Sequence, residues 1–435
     1  MEIKPFRAFR FDPAVVGNAG DCIAPPYDVI GPEQQRQLYR KSPYNIVRIT
    51  KPNEASADNQ YTRAAGYLSD WIDSGVLKQD AAEGIYGYVQ DFEVAGSRYQ
   101  RLAFIALARL EEFGPPGPVR PHEQTLSKAM LDRLNLKRAT AADFGLVFML
   151  YEDKKGIADR IIQSASAGPA ILDCTDEQDV RHRLFAITAK KDVDAIVRMM
   201  RDKNCIIADG HHRYTTGLTY SKESPNPAAK YQMLAFTNMS HEGLIVLATH
   251  RLVANLRDFN MDRLLSGLGG NFQVAEFGFG KARQAKADAK QEMLARMRAE
   301  HGKDKKAFGI YGPNSVFYVA VLKDALAMNA AAPHKSAAYR SLDVAVLHKL
   351  ILEELLGIDE EVLARGENLE YVKDAPTAID DSIAQVDAGL KQAAFFMNPI
   401  KMQQLIEVTD AGERMPQKST YFYPKMFTGV TINKL

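Results

Sequence analysis

The chain has 435 residues, of which 46% are hydrophobic, and its 55 Lys and Arg residues nearly balance its 54 Asp and Glu residues, leaving a net charge of +1. A chain of this length and composition builds a large core in two domains or one elaborated domain. The near-neutral charge argues against a nucleic-acid backbone or an anionic membrane as the partner.

The cysteine content and the lengths of the apolar runs indicate where in the cell the protein is expected. Cys22, Cys174 and Cys205 are far apart and odd in number, which is typical of a protein from a reducing environment. No apolar run reaches the roughly 20 residues of a membrane-spanning helix. The first residues also lack the hydrophobic region of a signal peptide. We therefore expect a cytoplasmic protein with no membrane partner.

Helical and strand-like patterns alternate along the first hundred residues. The predicted elements are helices at 32–40 and 56–72 and strands at 84–94 and 98–110. Ala95-Gly96 between the strands is a hairpin signal. The Gly and Pro residues at 114–118 forbid regular structure, so a boundary or an active-site loop is expected there.

The remaining chain continues this alternation, which indicates a mixed α and β protein. The predicted elements are strands at 146–151, 205–208, 232–238, 307–311 and 316–322 and helices at 155–163, 192–203, 280–306 and 341–356. Residues 328–333 form an Ala-rich linker or lid. Within the last helix, His348 is expected to be a packed or surface residue. The predicted regions are 1–112, 113–327 and 328–435.

The most informative stretch is Cys205 to Tyr214, with the sequence Cys-Ile-Ile-Ala-Asp-Gly-His-His-Arg-Tyr. It predicts a buried strand, a tight turn at Gly210 and the start of a helix. Such a turn collects a carboxylate, two imidazoles, a guanidinium and the N–H groups of a helix start, where anions bind readily. Alternatively, Asp209 is only the N-cap and Arg213 a surface charge.

The two histidines of this turn cannot both address one ligand atom. Adjacent residues of a helix point about 100° apart. One of His211 and His212 is therefore expected to contact the ligand and the other to orient it or to pack.

A second polar cluster follows the Gly and Pro loop. His122-Glu123 begins like a zinc-protease motif, but Leu126 stands where the second histidine is required, which excludes that class. Glu123 is a candidate general base toward a hydroxyl substrate, because a carboxylate in reach accepts the proton as the oxygen attacks. An exposed loop acid is the alternative.

A third cluster lies at 415–425. If 418–423 is a strand, Lys418 and Thr420 lie on one face together with Phe422 and suit a phosphate, whereas Ser419 faces the other side. Lys425 follows as a second cation. An ordinary strand, which also favours Thr, Tyr and Phe, is the alternative.

Two further segments carry polar residues near turns. Tyr27 and Asp28 follow two prolines, and together with Arg48 they are candidate pocket residues, although structural turns explain them nearly as well. His250-Arg251 comes after the apolar run 244–248, a pattern typical of a strand that delivers polar groups at its end.

Four blocks of the sequence resemble the signature blocks of the DUF1015 family of bacteria and archaea. They are residues 24–28 (APPYD), 121–125 (PHEQT), 208–214 (ADGHHRY) and 418–425 (KSTYFYPK). The Asp-Gly-His-His-Arg block is similar in turn to the ParB/sulfiredoxin superfamily, and especially to free serine kinases, where these residues line the phosphoryl-transfer site. The resemblance implies an α+β fold in which a ParB/sulfiredoxin-like catalytic core carries large α/β elaborations.

This resemblance implies a kinase that phosphorylates the hydroxyl group of a small metabolite, with pyrophosphate or a nucleotide as donor. We expect the acceptor to be free L-serine and the product O-phosphoserine. The implied roles are catalytic for Glu123, Asp209, His211 and His212; phosphate-binding for Arg213, Lys418, Ser419, Thr420 and Lys425; and substrate-binding for Tyr27, Asp28, Arg48, His122 and Thr125. Since Asp209 would repel a phosphate, it is expected to bind Mg²⁺ or the acceptor hydroxyl.

Two other functions stay open. One is a nucleotide-binding ParB-like switch, which the missing basic DNA-binding segment disfavours. The other is a metal-dependent hydrolase that uses His122, His211 or His212 with Asp209, although adjacent histidines chelate poorly. A homo-oligomer is compatible with each of these functions, and no nucleic-acid partner is expected.

Overall fold

A computed structural model describes residues 1–53, 59–114, 117–124, 127–280 and 283–435. They form two compact units: Met1–Ile245 with Phe422–Leu435, and Val246–Tyr421. The chain thus leaves the first unit after Ile245 and returns to it at Phe422. These units divide the chain at other positions than the three regions predicted from composition, because the last residues pack with the first 245.

The first unit contains a large sheet and two small ones. Its strands are β1 (Ile3–Lys4), β2 (Phe9–Phe11), β3 (Leu77–Gln79), β4 (Ile85–Val94), β5 (Ser97–Arg109), β6 (Val119–Arg120), β7 (Ala142–Asp143), β8 (Val147–Tyr151), β9 (Leu172–Thr175), β10 (Arg181–Ile187), β11 (Cys205–Asp209) and β12 (Tyr231–Asn238). The large sheet has the order β6-β11-β8-β12-β5-β4-β10-β9, and β1 also pairs with β5. Its pairs are antiparallel except β11 with β6 and β12 with β8. This order puts β11, which ends at Asp209, beside β8 and β6.

The helices of the first unit cover this sheet and form a second core beside it. They are α1 (Pro13–Val16), α2 (Pro32–Lys41), α3 (Val47–Thr50), α4 (Gln60–Asp73), α5 (Ser127–Thr140), α6 (Ile157–Ser166), α7 (Lys190–Met200) and α8 (His211–Glu223). One core gathers apolar side chains of the sheet with those of α6 and α7. The other surrounds Trp71, which is 4% exposed, among side chains of α2, α3 and α4.

The second unit is built on an antiparallel sheet of its own. The strands that follow β12 are β13 (Ile245–Leu247), β14 (Thr249–Val253), β15 (Phe272–Gly278), β16 (Ala307–Tyr311), β17 (Val316–Leu322), β18 (Leu369–Lys373), β19 (Ala393–Phe396), β20 (Tyr421–Tyr423) and β21 (Asn433–Lys434). The sheet order is β15-β17-β16-β19-β14-β18, so β14 lies inside it. The chain passes between the units within β13 and β20, and β21 pairs with β7 in the first unit.

Helices of the second unit supply its core. They are α9 (Met261–Asn271), α10 (Arg283–Gly302), α11 (Ala327–Ala331), α12 (Ala337–Arg340), α13 (Asp343–Val346), α14 (Glu360–Arg365), α15 (Ala378–Asp387) and α16 (Met402–Asp410), with a π-helix at Leu347–Glu353. The charged α10 buries Ala289, Met293 and Met297, spaced four residues apart, against the sheet. Charged residues occupy the rest of its surface.

The mixed α and β class predicted from the sequence is confirmed. The hairpin at Ala95-Gly96 joins β4 to β5, with both residues at positive φ, as its sequence signal requires. Two predictions were wrong in detail. Residues 328–333 contain most of α11 instead of an irregular linker, because alanine is the strongest helix former. The helix at 341–356 is shorter and changes from α to π at Leu347.

Within the described ranges, no helix is both long enough and apolar enough to cross a lipid bilayer.

Candidate active site

The turn between β11 and α8 has the predicted form. Cys205 to Ala208 are buried, and the strand ends at the partly buried Asp209. Gly210 follows in the left-handed region, with φ +93° and ψ +30°, and α8 begins at His211. A glycine adopts this conformation without strain. A Cβ atom at position 210 would lie 3.1 Å from Arg213 Cζ, so glycine also leaves room for the guanidinium.

The carboxylate of Asp209 lies between two cations. Arg213 Nη2 donates to Oδ2 at 3.0 Å, and Lys425 Nζ donates to Oδ1 at 3.1 Å. Burial of Asp209 raises the pKa of its carboxyl, but the Lys425 and Arg213 charges outweigh burial and hold this pKa well below its usual range. Asp209 is therefore an anion at physiological pH, and the three side chains together carry one net positive charge.

Lys425 is positioned by side chains that the sequence analysis missed. The buried Arg101 of β5 donates from Nη1 to the Tyr423 carbonyl at 3.2 Å and from Nη2 to the Pro424 carbonyl at 2.5 Å. Gln90 of β4 accepts from Arg101 Nε at 3.1 Å and donates to the Lys425 carbonyl at 3.0 Å. The available signal was Arg101 itself, a charged residue directly before the apolar run of β5. A buried arginine needs specific partners, so its position indicated a polar contact.

His122 and His211 form a close pair next to Asp209. The His122 backbone N–H donates to His211 Nε2 at 3.2 Å, and the rings meet edge to face with centroids 4.6 Å apart. His122 Nδ1 lies 2.7 Å from the carbonyl oxygen of Ile207 and donates to it. Burial lowers the pKa of His122, which keeps its imidazole neutral near pH 7. His212 is partly exposed at the second position of α8.

Glu123 is partly buried and adjoins this pair. Its charge acts on His122 and raises the pKa of that imidazole, against the stronger effect of burial. The carboxylate predicted as the base is therefore close to the histidine pair. Thr125, predicted to bind substrate, lies outside the described residues.

A solvent-connected pocket of about 530 Å³ opens on the Arg213 side of the turn. Its walls combine aromatic, cationic and small residues: Pro26, Tyr27, Thr50, Arg133, Leu136, Lys137, Ala142, Asp143, Phe144, Gly145, Arg213, Thr216, Gln232 and Thr428. Arg133 Cζ lies 4.0 Å from the Tyr27 ring centroid, a cation–π contact. The pocket therefore joins Tyr27 to Arg213, two residues predicted to be in the site.

Other predicted residues of the first unit lie away from this pocket's lining. Asp28 is exposed in a 3₁₀ turn. Arg48 donates to the Tyr39 carbonyl at 2.8 Å and packs on the Tyr39 ring, with Cζ 4.4 Å from the centroid. These contacts give Arg48 a structural role within the α2–α3 region.

The strand predicted at 418–423 is shorter, and its first residues belong to the second unit. Lys418 has φ +56°, its carbonyl accepts from Arg251 Nη2 at 3.2 Å, and Ser419 Oγ donates to the Pro416 carbonyl at 2.5 Å. The strand begins only at Tyr421. The prediction that Lys418 and Thr420 share a strand face with Phe422 was therefore wrong, because the left-handed conformation at Lys418 breaks the extended geometry.

The residues around Asp209 do not fit a directly bound magnesium ion. Each carboxylate oxygen accepts a hydrogen bond from a cation, and the positive charges of Arg213 and Lys425 would repel a divalent cation bound beside them. Across the described ranges, no cluster of three or more His, Cys, Asp or Glu side chains has metal-binding geometry. The geometry thus gives no support to the metal-dependent hydrolase.

A family model matches most of the chain. The model of the family described as "Protein of unknown function (DUF1015)" matches residues 3–345. No curated protein matches the chain.

Similar solved structures include a free serine kinase in complex with AMP, with 12% identity, a TM-score of 0.34 and coverage of 71% of this chain and 86% of that one. A conserved hypothetical protein from Pyrococcus furiosus has 13% identity, a TM-score of 0.33 and coverage of 72% and 91%. C-terminally truncated SbnI from Staphylococcus aureus has 8% identity, a TM-score of 0.33 and coverage of 74% and 84%.

Proposed function

We propose that this chain, which belongs to the DUF1015 family, is a kinase that phosphorylates the hydroxyl group of a small metabolite, with free L-serine as the acceptor. One observation carries the proposal: Lys425 and Arg213 flank Asp209 at the N-terminus of α8. The choice of serine comes from the likeness of the Asp-Gly-His-His-Arg block to the free serine kinases.

The cation cluster has the charge that phosphoryl transfer needs. This reaction depends on positioned cations around the moving group more than on covalent chemistry. Arg213 and Lys425 together outweigh Asp209 by one charge, and the first N–H groups of α8 have no acceptor within the helix. A phosphoryl group placed here would accept from both cations and from the helix amides.

Asp209 acts in this proposal as a positioning residue. The two cations on its oxygens lower its pKa, which makes Asp209 a poor proton acceptor. Its two oxygens instead hold the Arg213 guanidinium and the Lys425 ammonium in one place. The cations are thus ordered before the donor arrives, which reduces the cost of reorganisation in the transition state.

Glu123 is the proposed base. It adjoins the neutral His122, whose ring is fixed by donation to Ile207. The serine hydroxyl would give its proton to the Glu123 carboxylate as its oxygen attacks the phosphorus atom and the bond to the donor's leaving group breaks. His211 and His212 would orient the phosphoryl oxygens.

The pocket beside Arg213 favours a nucleotide over pyrophosphate as the donor. Its lining combines aromatic, cationic and small polar residues, a mixture that suits the base and sugar of a nucleoside better than a bare pyrophosphate. Arg133 and Tyr27 lie together in one wall, where the guanidinium packs on the Tyr27 ring. We propose that the nucleoside part of the donor occupies this pocket.

The test is to incubate the purified full chain with L-serine and magnesium and, separately, with ATP, ADP or pyrophosphate, and to quantify O-phosphoserine by mass spectrometry. We expect product with a nucleotide. Lys425→Met should lower kcat/KM about 100- to 1,000-fold, the usual effect of removing one group that stabilises transition-state charge. Lys434→Met is the matched control, because Lys434 is an exposed lysine of the same segment.

Two outcomes contradict the proposal. Absence of phosphoserine with every donor would exclude the reaction. Full activity of the Lys425→Met protein would exclude the site while leaving the reaction standing.

A further inference from the structure

The second unit buries an arginine side chain within its sheet. Arg251 lies in the middle of β14 and is 1% exposed. Its Nη1 donates to the Thr249 carbonyl and its Nη2 to the Lys418 carbonyl, whereas Nε has no hydrogen-bond partner. Through the ranges that the structure describes, no carboxylate forms an ion pair with this guanidinium. The strand does not deliver Arg251 at its end, as the sequence predicted, but holds it inside the sheet.

A buried charge of this kind needs compensation. Burial lowers the pKa of Arg251 to about 10, so the side chain is still protonated at neutral pH. The two backbone carbonyls and the Tyr371 ring, whose centroid is 5.2 Å from Arg251 Cζ, stabilise the guanidinium but carry no full charge. Buried ions without a counter-charge are strongly unfavourable. An anion that binds against Arg251 would supply the missing charge.

A buried carboxylate of the same unit, Asp343, has hydrogen-bond acceptor capacity to spare, although Lys306 forms an ion pair with it. Asp343, the first residue of α13, is 8% exposed. Lys306 Nζ is 3.2 Å from Oδ1 and His301 Nδ1 is 3.6 Å from Oδ2, but neither oxygen accepts a hydrogen bond from any described residue. Buried carboxylates normally accept several hydrogen bonds. Asp343 therefore has acceptor capacity for a further N–H donor.

Arg251 and Asp343 line the same pocket. It holds about 300 Å³ of space that continues into solvent. All of its walls come from the second unit: Thr249, Arg251, Leu342, Asp343, Val344, Met397, Asn398, Ile400, Gln404 and Ser419. The pocket is small, and its walls carry two opposite charges and few apolar groups. It therefore suits a ligand of few atoms.

We propose that this pocket binds a small zwitterion of the α-amino-acid class, with its carboxylate on Arg251 and its ammonium on Asp343. A free phosphate fits less well, because Asp343 would face its double negative charge. A metal cation fits less well, because Arg251 would repel it. The ligand class follows from one unmet donor and one unmet acceptor that share a cavity.

A π-helix adjoins this pocket in sequence. The Leu347–Glu353 segment follows α13 directly, and such segments are frequent at functional sites. It carries His348, which is buried and whose Nε2 has no hydrogen-bond partner among the described residues. Arg251 is close enough for its charge to act on the His348 imidazole. A buried histidine and a buried arginine of this unit thus lie within electrostatic reach of each other.

The test is isothermal titration calorimetry of the full chain with glycine, propionate and methylammonium. Glycine has both charges and no hydroxyl, so it cannot serve as a phosphoryl acceptor. We expect glycine to bind and each singly charged compound to bind at least tenfold more weakly. Failure of glycine to bind, or equal binding of propionate, overturns the proposal.

Variants locate the site. Arg251→Met and Asp343→Asn should each weaken glycine binding at least tenfold, whereas Arg257→Met and Asp258→Asn, which change exposed residues of the same unit, should not. If Lys425→Met abolishes glycine binding and Arg251→Met does not, glycine occupies the first unit alone. The proposal then fails while the kinase assignment is untouched.

Hydrogen exchange of the unaltered protein covers the case in which the Arg251 or Asp343 variant does not fold. Saturating glycine should slow exchange in residues 342–353 and 397–404, which contribute pocket walls. Protection confined to residues of the first unit, or no protection at all, contradicts the site.

Discussion

At the scale of single residues, His348 makes the stability of the second unit depend on pH. Burial, with the Arg251 and Lys349 charges, lowers the pKa of this imidazole to about 3. In the unfolded chain, a histidine has a pKa near ~6.5. The folded unit therefore prefers the neutral ring. This contribution to stability is complete above the unfolded pKa and is lost as pH falls from about 6.5 toward 3.

We predict that His348→Gln flattens this pH dependence. Between pH 6.5 and 4, the unaltered unit should lose up to about 1.4 kcal/mol per pH unit through this proton. The measurement is urea unfolding monitored by hydrogen-exchange mass spectrometry of β16 and β17. The exposed His334 provides the control substitution, His334→Gln. An unchanged slope in the His348→Gln protein would contradict the prediction.

The sequence identified the charged residues of the candidate site but not the ion pairs between them. The sequence singled out Asp209, Arg213 and Lys425 through motif blocks, and an ion pair indeed joins each cation to the acid. The Asp209–Lys425 contact spans 216 positions, and no periodicity reveals such a pairing. For the same reason Asp209 was expected to bind Mg²⁺ or the acceptor hydroxyl, since its residue type alone does not show that two cations contact its oxygens.

At the scale of elements, the β11–α8 turn depends on Gly210. Its φ of +93° costs an L-residue about 1–2 kcal/mol. A side chain there would also approach the Arg213 guanidinium at 3.1 Å. The turn therefore couples backbone conformation to the position of a cation.

We predict that Gly210→Ala lowers both stability and activity. Unfolding free energy should fall by about 1–2 kcal/mol, and kcat should fall about 10- to 100-fold because Arg213 is displaced. The control is Gly75→Ala: Gly75 has φ +77°, and no atom lies within 4 Å of its added Cβ. Phosphoserine formation and Trp71 fluorescence in urea measure both effects. Equal activity of the two variants would show that Arg213 tolerates the shift.

Strands whose sequence has a clear apolar run between turn residues were predicted correctly. The start of β20, which depends on contacts with distant residues, was not. The strands at 307–311 and 316–322 match β16 and β17 because their apolar runs are bounded by turn residues. The strand expected from Lys418 starts at Tyr421 instead. Its aromatic and Thr residues favour a strand, but the positive φ at Lys418 is a product of the fold and leaves no mark in composition.

At the scale of the whole molecule, the first unit is completed by the last residues of the chain. The segment Phe422–Leu435 supplies Lys425 to the site and buries five apolar side chains: Phe422, Met426, Phe427, Val430 and Ile432. Each is worth about 1.5–3 kcal/mol when fully buried. The segment also pairs β21 with β7 through Asn433 and Asp143.

We predict that two truncations separate folding from catalysis. A chain that ends after Tyr421 should lose several kcal/mol of stability in the first unit and all phosphoserine formation. A chain that ends after Ile432 keeps Lys425 and loses the β21 pairing together with the contacts of Asn433 and Leu435, so it should be less stable but active. Fluorescence of Trp71, the single tryptophan, follows the first unit. Activity in the shorter chain would contradict the role of Lys425.

The fold class was predictable, and so was family membership, which the match over residues 3–345 confirms. The division into units was not, because composition shifts mark linkers but do not show which distant segments pack together. The return of the chain at Phe422 depends on buried contacts of Arg101 and Gln90 with residues 423–425. Those side chains carry no motif of their own.

The position of Lys425 along the chain imposes an order on biosynthesis. A ribosome that adds ~5–20 residues per second needs roughly 10–40 s to pass from Asp209 to Lys425. Throughout that interval the nascent protein carries the acid and the guanidinium without the ammonium group, while the whole of the second unit is being made. Under the proposed function, the cation cluster is therefore completed only after the second unit has been synthesised, and a chain released before Lys425 lacks one of its two cations.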